Sequence, residues 1–283
     1  MVCGCRGFVE FSCFYDLLVD AVDRLLFVPP LVRIDSDSLL VVGDVHGDFA
    51  SVDAALRMVD RENIDVVVFL GDYVDRGPEQ VEVLAGILEA LVCRGYRVVL
   101  LRGNHETPSV NREYGFLDVL RSCFPGSWEE LYVLANKLFG LLPYAAVANS
   151  ILMLHGGVPR GVERVEDFGG FRKPLLDPEP GTPEFEVLWN DPGEYVSGFL
   201  PGVRGPGTYI FGKDVTEKLL ASSGLRLLVR GHEVPGSRGY QYSHNGLVLT
   251  LYSCRYDGVR PVALHVLGDG WNVVWLDEVF ESK

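Results

Sequence analysis

Six polar residues recur at one kind of place in this chain, where a short apolar run gives out beside glycine. "LLVVGDVHGD" brings Asp44 and His46, "VVVFLGDYVDRG" Asp72, "VVLLRGNHE" Asn104, "ILMLHGG" His155 and "LLVRGHE" His232. The set offers carboxylates, an amide oxygen and imidazoles, with no thiolate. Such donors suit Mn, Fe or Zn in a reactive centre better than a structural zinc alone. Six ligands exceed one four-coordinate site but suit two metals about 3.5–4 Å apart that share a carboxylate. Asp72 is the natural bridge, because its strand falls between the other two N-terminal ones. His105, in "RGNHE", is the fourth histidine at such an end. His244 and His265 read as ordinary satisfied or solvated residues.

The runs themselves are continuous stretches of Val, Leu and Ile, as in strands buried on both faces. Between them lie helical patterns: "SVDAALRMVDRE", "PEQVEVLAGILEALVCRG" and "TEKLLASSG". The last two close on glycine, a common helix end. This grammar predicts an α/β layer architecture (α+β by some schemes), with polar residues at the carboxyl ends of the strands, where such sheets hold ligands. After residue 235 the texture changes to "GYQYSHNGLVLTLYSCRYDGVRPVALHVLGDGWNVVWL". Alternation and the turn dipeptides "NG" and "DG" predict consecutive antiparallel strands. No linker divides the chain. The expectation is one domain over 1–283: a helical extension at 1–38, a ligand-bearing core at 39–235 and antiparallel strands at 236–283.

A chain of 283 residues, 48% hydrophobic and 23% charged, can bury a large core. No apolar run reaches the roughly 18 residues of a membrane span. The opening "MVCGCRGFVEFSCFYDLLVDAVDRLL" lacks a basic leader, carries Glu10, Asp16, Asp20 and Asp23, and reads as an amphipathic helix. The expectation is a cytoplasmic protein without membrane attachment. A net charge of −14 argues against nucleic acid as a partner, yet permits a small phosphorylated group at a locally positive site. Cys3, Cys5 and Cys13 lack the C-x₂-C pairing of a zinc knuckle; with Cys93, Cys123 and Cys254 they read as buried free thiols.

"GDVHGD", "GDYVDRG", "RGNHE", "HGG" and "RGHE", in that order, resemble the phosphoprotein phosphatase family, the metal-dependent serine/threonine protein phosphatases of calcineurin-like metallophosphoesterase fold. "NREYGF", "LWNDP", "RGPGTYIFG" and "LYSCRY" support the resemblance. It implies a two-sheet β-sandwich flanked by helices, with a dinuclear centre at the sandwich edge. By motif, Asp44, His46 and Asp72 look like ligands of one metal, and Asp72, Asn104, His155 and His232 like ligands of the other. Arg76, Arg204 and Tyr256 resemble the phosphate-holding groups, and the resemblance implies a phosphate contact for Asn104 besides its place on the metal. Arg102 either joins them or serves as a structural ion-pair residue. The chain departs from the pattern at Asp48, where glutamine is common, in "RGHE" for "RAHQ", and in "SCRY", one residue short of "SAPNY". These departures suggest a prokaryotic or archaeal branch.

The activity so implied is hydrolysis of phosphoserine and phosphothreonine by in-line attack of a metal-bridging hydroxide. Two divalent ions are required, with manganese the metal expected in vitro. His105 would protonate the leaving alkoxide and Asp75 would orient it. Glu106 would fix the turn or pair with an arginine. Regulatory subunits are not legible. The alternative on the same scaffold is a dinucleoside polyphosphate or other phosphoanhydride hydrolase; the acidic chain speaks against phosphodiester cleavage, and the complete ligand set against an inert phosphate binder. The acidic stretch with Asp177, Glu179, Glu184, Glu186, Asp191 and Glu194 is expected to rim the cleft and favour basic phosphopeptides.

Overall fold

The computed structural model describes residues 9–94 and 96–280. The chain opens with α1 (Phe11–Leu25), β1 (Leu31–Arg33) and β2 (Ser38–Val42), then alternates through α2 (Phe49–Glu62), β3 (Val66–Phe69), α3 (Gln80–Cys93) and β4 (Arg97–Leu100). Three helices follow, α4 (Pro108–Asn111), α5 (Phe116–Cys123) and α6 (Trp128–Phe139), then the pair β5 (Ala145–Ala148) and β6 (Ile151–Leu154). Next come α7 (Pro183–Trp189), the short β7 (Asp191–Pro192), β8 (Phe199–Pro201) and β9 (Tyr209–Phe211), α8 (Lys213–Ser223) and β10 (Leu227–Arg230). The end of the chain supplies β11 (Tyr240–Ser243), β12 (Val248–Leu251), β13 (Val262–Leu267), β14 (Gly270–Trp275) and α9 (Asp277–Phe280).

Two sheets result, in the orders β14-β13-β2-β3-β4 and β1-β5-β6-β10-β12-β11, with β7-β9-β8 as a small third. Their packing explains why the runs are apolar throughout. Along β2 and β3, Leu39, Val41, Val66 and Val68 point inward against Met153, Leu227, Val229 and Leu249 of the other sheet. The alternate residues Leu40, Val42, Val67 and Phe69 pack outward with Leu17, Val52, Leu56 and Leu84 of the helices. On the far side, Leu152, Leu154 and Leu228 meet Val187 and Leu219. The inner strands are thus covered on both faces, as the resemblance implied: a sandwich with helices on its outer faces.

Three details differ from the sequence reading. The extension before residue 39 is not wholly helical, since β1 pairs in parallel with β5. The last strands do not form one antiparallel run: β12 lies parallel to β10, and β13 crosses to pair antiparallel with β2. The final segment therefore completes both sheets. Of the expected buried free thiols, Cys254 is free and buried, Cys123 is free but exposed, and Cys13 is disulfide-bonded; Cys3 and Cys5 lie outside the described residues. No helix among the described residues is long and apolar enough to cross a membrane.

Candidate active site

The carboxyl ends of β2, β3, β4, β6 and β10 converge, and a bridge between Asp44 and Tyr252 joins the two sheets there. The backbone pays for this convergence with unusual dihedrals. His46, Asp72, Asp75, Arg76 and His232 all have positive φ, between 40° and 70°. Non-glycine residues in that region cluster at functional sites because surrounding contacts must over-determine them. Two glycines allow the backbone to press against the carboxylates: a Cβ at Gly103 would strike Asp72, and one at Gly231 would strike Asp44.

Six predicted ligands are buried together, each at most 7% exposed. Two sets of donor atoms converge: His46, Asp72 and His105, and Asp72, His155 and His232. Asp72 belongs to both. Its Oδ2 lies 3.4 Å from His46 Nε2 and its Oδ1 3.4 Å from His155 Nε2. Asn104 Oδ1 lies 2.9 Å from His155 Nε2 and 2.8 Å from His232 Nδ1. Asp44 is in neither set, since its carboxylate accepts the His232 N–H (2.9 and 3.0 Å). It remains on the wall of the same cluster, with Oδ1 3.9 Å from His155 Nδ1.

The tautomers point to a cation. His46 Nδ1 is 2.8 Å from the carbonyl of Val74, which can only accept, so the proton is on Nδ1 and the Nε2 lone pair is bare. That buried Nε2 has no hydrogen-bond partner, nor has His232 Nε2. His155 Nδ1 likewise faces the Leu70 carbonyl at 3.2 Å, leaving its Nε2 lone pair aimed at the oxygens of Asn104 and Asp72. Lone pairs facing lone pairs in a buried site repel unless a positive ion lies among them. Burial makes the same point electrostatically. It pushes Asp44 up to about 7 and Asp72 well above the carboxylate range, and holds His46, His155 and His232 well below the usual histidine value. The donor set fits divalent metal ions.

Beside this cluster, His105 Nδ1 lies 2.6 Å from Asp75 Oδ2, a contact that requires a proton between them. Asp75 is anchored in turn, its Oδ1 accepting from Phe116 N–H at 2.9 Å. His105 Nε2 faces inward, 4.0 Å from Asp72 Oδ2. Burial, with the charge of Arg76, pushes His105 down to about 3, while burial pushes Asp75 up to about 7. A proton donor so placed needs the countercharge that Asp75 can offer.

The four predicted phosphate groups fare differently. Arg76 follows Asp75, which holds His105, and Arg204 is tied to Asp191, whose Oδ1 lies 3.9 Å from His232 Nε2. Arg204 Nε donates to Asp191 Oδ2 at 2.5 Å. Tyr256 directs its hydroxyl to Glu79 Oε2 at 2.9 Å. Arg102 takes the structural role. Its buried guanidinium donates to the carbonyls of Leu175, Leu176 (2.6 Å) and Glu106 (3.2 Å), pinning the segment before α7.

Sequence reasoning missed Arg230 and the task of Asp191. Arg230 is fully buried and donates to Asp191 Oδ1 (2.9 Å), Gly156 O (2.6 Å) and Glu233 Oε2 (2.6 Å). Asp191 thus joins Arg230 to Arg204, with Oδ1 3.9 Å from His232 Nε2. Its place in "LWNDP" was the available signal. The expected acidic rim is partly neutralised within the fold. Glu184 bonds Arg172, Glu186 bonds Arg160, Glu194 accepts from His244 N–H and Asp177 from Ser109. With Asp191, three of the six carboxylates are thus paired with arginine, and a paired charge steers little.

Glu106 fixes the turn, as one of its two expected tasks. Its buried carboxylate accepts from the N–H groups of Asp72 (2.7 Å), Tyr73 (2.9 Å) and Gly103 (3.0 Å). Glu106→Gln puts an NH₂ against one or two of these donors. It should cost about 1–3 kcal/mol, the penalty of unmade buried hydrogen bonds. Denaturant unfolding measures this, and unchanged stability would remove Glu106 from the role.

Residues 38–236 match the family model for calcineurin-like phosphoesterases. A probable serine/threonine-protein phosphatase of Encephalitozoon cuniculi is 35% identical over 228 residues, covering 80% of this chain and 49% of that protein. The serine/threonine-protein phosphatase BSL2 of Arabidopsis thaliana is 31% identical over 272 residues, covering 91% of this chain and 26% of that protein. The chain therefore spans about half the length of the first relative and a quarter of the second. A protein serine/threonine phosphatase from Saccharomyces cerevisiae, with similarity to human phosphatase PP5, superposes with a TM-score of 0.82 at 25% identity. That match covers 94% of this chain and 90% of the yeast one.

Proposed function

The chain belongs to the calcineurin-like phosphoesterase family, and on that premise we propose that it is a serine/threonine protein phosphatase, hydrolysing phosphoserine and phosphothreonine in proteins. One observation carries the reading: His105, braced by Asp75 at 2.6 Å, stands beside the Asp72 cluster. An alkoxide is a poor leaving group and needs a proton on departure. A phosphoanhydride has a far better one. The superposition of 94% of this chain on the yeast serine/threonine phosphatase supports the same choice.

Asp44, His46 and Asp72 would hold one divalent ion and Asp72, Asn104, His155 and His232 a second. When bound, the pair supplies the charge that ionises water near neutral pH and offsets charge on phosphorus oxygens. Mn, Fe and Zn all suit these donors, and manganese is our choice for assays. The rest is the work of the chain. Arg76 and Arg204 spread guanidinium donors over the phosphate oxygens, where charge sits in the transition state. Asp191 and Arg230 hold Arg204 in place from behind. Asn104 would touch phosphate as well as metal, and Tyr256, whose ring lies against Gly77 just after Arg76, would join the phosphate contacts. His105 holds its transferable proton on Nε2, and Asp75 fixes the ring through Nδ1.

The test is a metal-stripped preparation assayed on a phosphoserine peptide in chelator and after return of Mn²⁺. Turnover should be lost in chelator and restored by manganese. Full turnover in chelator would rule the reading out.

A further inference from the structure

A charged pair ties together two turns that carry proposed catalytic groups. Asp48 is fully buried at the start of α2 and takes four hydrogen bonds from Arg255. The Arg255 N–H donates to Oδ2 (2.8 Å), Nε lies 2.9 Å from both oxygens, and Nη2 donates to Oδ1 (2.7 Å). The same carboxylate caps α2, accepting from Ser51 N–H (3.3 Å) and Oγ (2.8 Å). Arg255 cannot swing away without leaving this buried anion without its countercharge.

The next residue is thereby held over the Asp75–Gly77 turn. A Cβ at Gly77 would stand 2.8 Å from Tyr256 Cε2 and 3.0 Å from Cδ2, so the ring lies directly against the backbone that follows Arg76. Beyond it, the Tyr256 hydroxyl bonds Glu79, whose N–H bonds the Gly47 carbonyl at 3.0 Å. Arg76 itself sits at φ 65°, which a non-glycine residue keeps only under restraint.

We propose that Asp48 and Arg255 are positioning residues: a clasp that acts through Tyr256 to hold the Arg76 turn, and so sets the geometry of phosphate binding. The inference rests on the proposed reading of Arg76 as a phosphate contact. The cation cluster depends on other restraints, Glu106 among them, and survives when the clasp is opened.

The test compares manganese-loaded parent protein with Arg255→Met, Arg255→Lys, Asp48→Asn, Tyr256→Ala and the double variant Arg255→Met/Tyr256→Ala. The readouts are kcat and KM on a phosphoserine peptide, inhibition by inorganic phosphate, manganese content and Tm. In Arg255→Met, KM and the phosphate inhibition constant should rise about tenfold, as for loss of a charge-assisted contact. Manganese content should stay at the parent value and kcat change far less. Arg255→Lys keeps the charge without the planar fork and should fall between; Asp48→Asn, which keeps an acceptor for the cap, should match it. The double variant should bind phosphate no more weakly than Tyr256→Ala alone, because one residue acts through the other. A fall in Tm with unchanged KM and phosphate inhibition, or losses that add in full, overturns the clasp while the parent's activity stands. A parent without turnover on any phosphomonoester overturns the functional reading and the clasp with it. Should Arg255→Met not fold, Arg255→Lys and Tyr256→Ala make the same comparison.

Discussion

Asp72→Asn should leave a folded protein that has lost most of its bound metal and nearly all of its activity. One carboxylate faces both halves of the cluster, with an oxygen 3.4 Å from His46 Nε2 and another 3.4 Å from His155 Nε2. An amide carries no charge and offers one oxygen, so both halves weaken together. Even partners behind the direct ligands of a metal cost about 10–100-fold in affinity or activity when removed, so ~100-fold is the least expected here. The backbone should tolerate the change, because Glu106 holds the Asp72 N–H and not the side chain. Elemental analysis beside turnover decides the matter: parental metal content with parental activity would dismiss Asp72 as the shared ligand.

His105→Asn separates proton transfer from metal binding. We expect near-normal metal content and turnover on phosphoserine peptide slowed by about 10²–10⁴-fold, the usual contribution of a general acid. On nitrophenyl phosphate the loss should shrink, because that leaving group departs without a proton. Asp75→Asn should act in the same direction, since the 2.6 Å contact to Nδ1 is what orients the ring. The discriminating quantity is the ratio of the two losses. Equal slowing on both substrates would take His105 out of the acid role.

What the sequence made legible was local. An apolar run closed by glycine and a polar residue marks both a strand and the polar group at its end, so Asp44, His46, Asp72, Asn104, His155 and His232 could be singled out before any contact was known, and the fold buries them together. That Asp72 should face both halves of the cluster followed from strand order, and β3 does lie between β2 and β4. Pairings between distant segments were not legible. Nothing in "LWNDP" and "RGHE" says that Asp191 meets Arg230, nor in "GDVHGD" and "SCRY" that Asp48 meets Arg255. The acidic stretch misled for the same reason: its cations, Arg160, Arg172, Arg204 and Arg230, come from elsewhere in the chain or just beyond it. Arg102 shares a word with Asn104 and His105 yet turns its guanidinium to Leu175 and Leu176. Parallel pairing of β12 with β10 and the three-residue β1 depend on topology, which short-range alternation does not encode.

The central claim is that this family scaffold acts on phosphorylated serine and threonine in proteins and not on phosphoanhydrides. The direct measurement is kcat/KM of manganese-loaded protein on a phosphoserine protein and on a dinucleoside tetraphosphate, under one set of conditions. The account predicts a preference for the phosphoprotein of about tenfold or more, a transition-state difference of ~1.4 kcal/mol. A preference of that size for the dinucleoside tetraphosphate would contradict it.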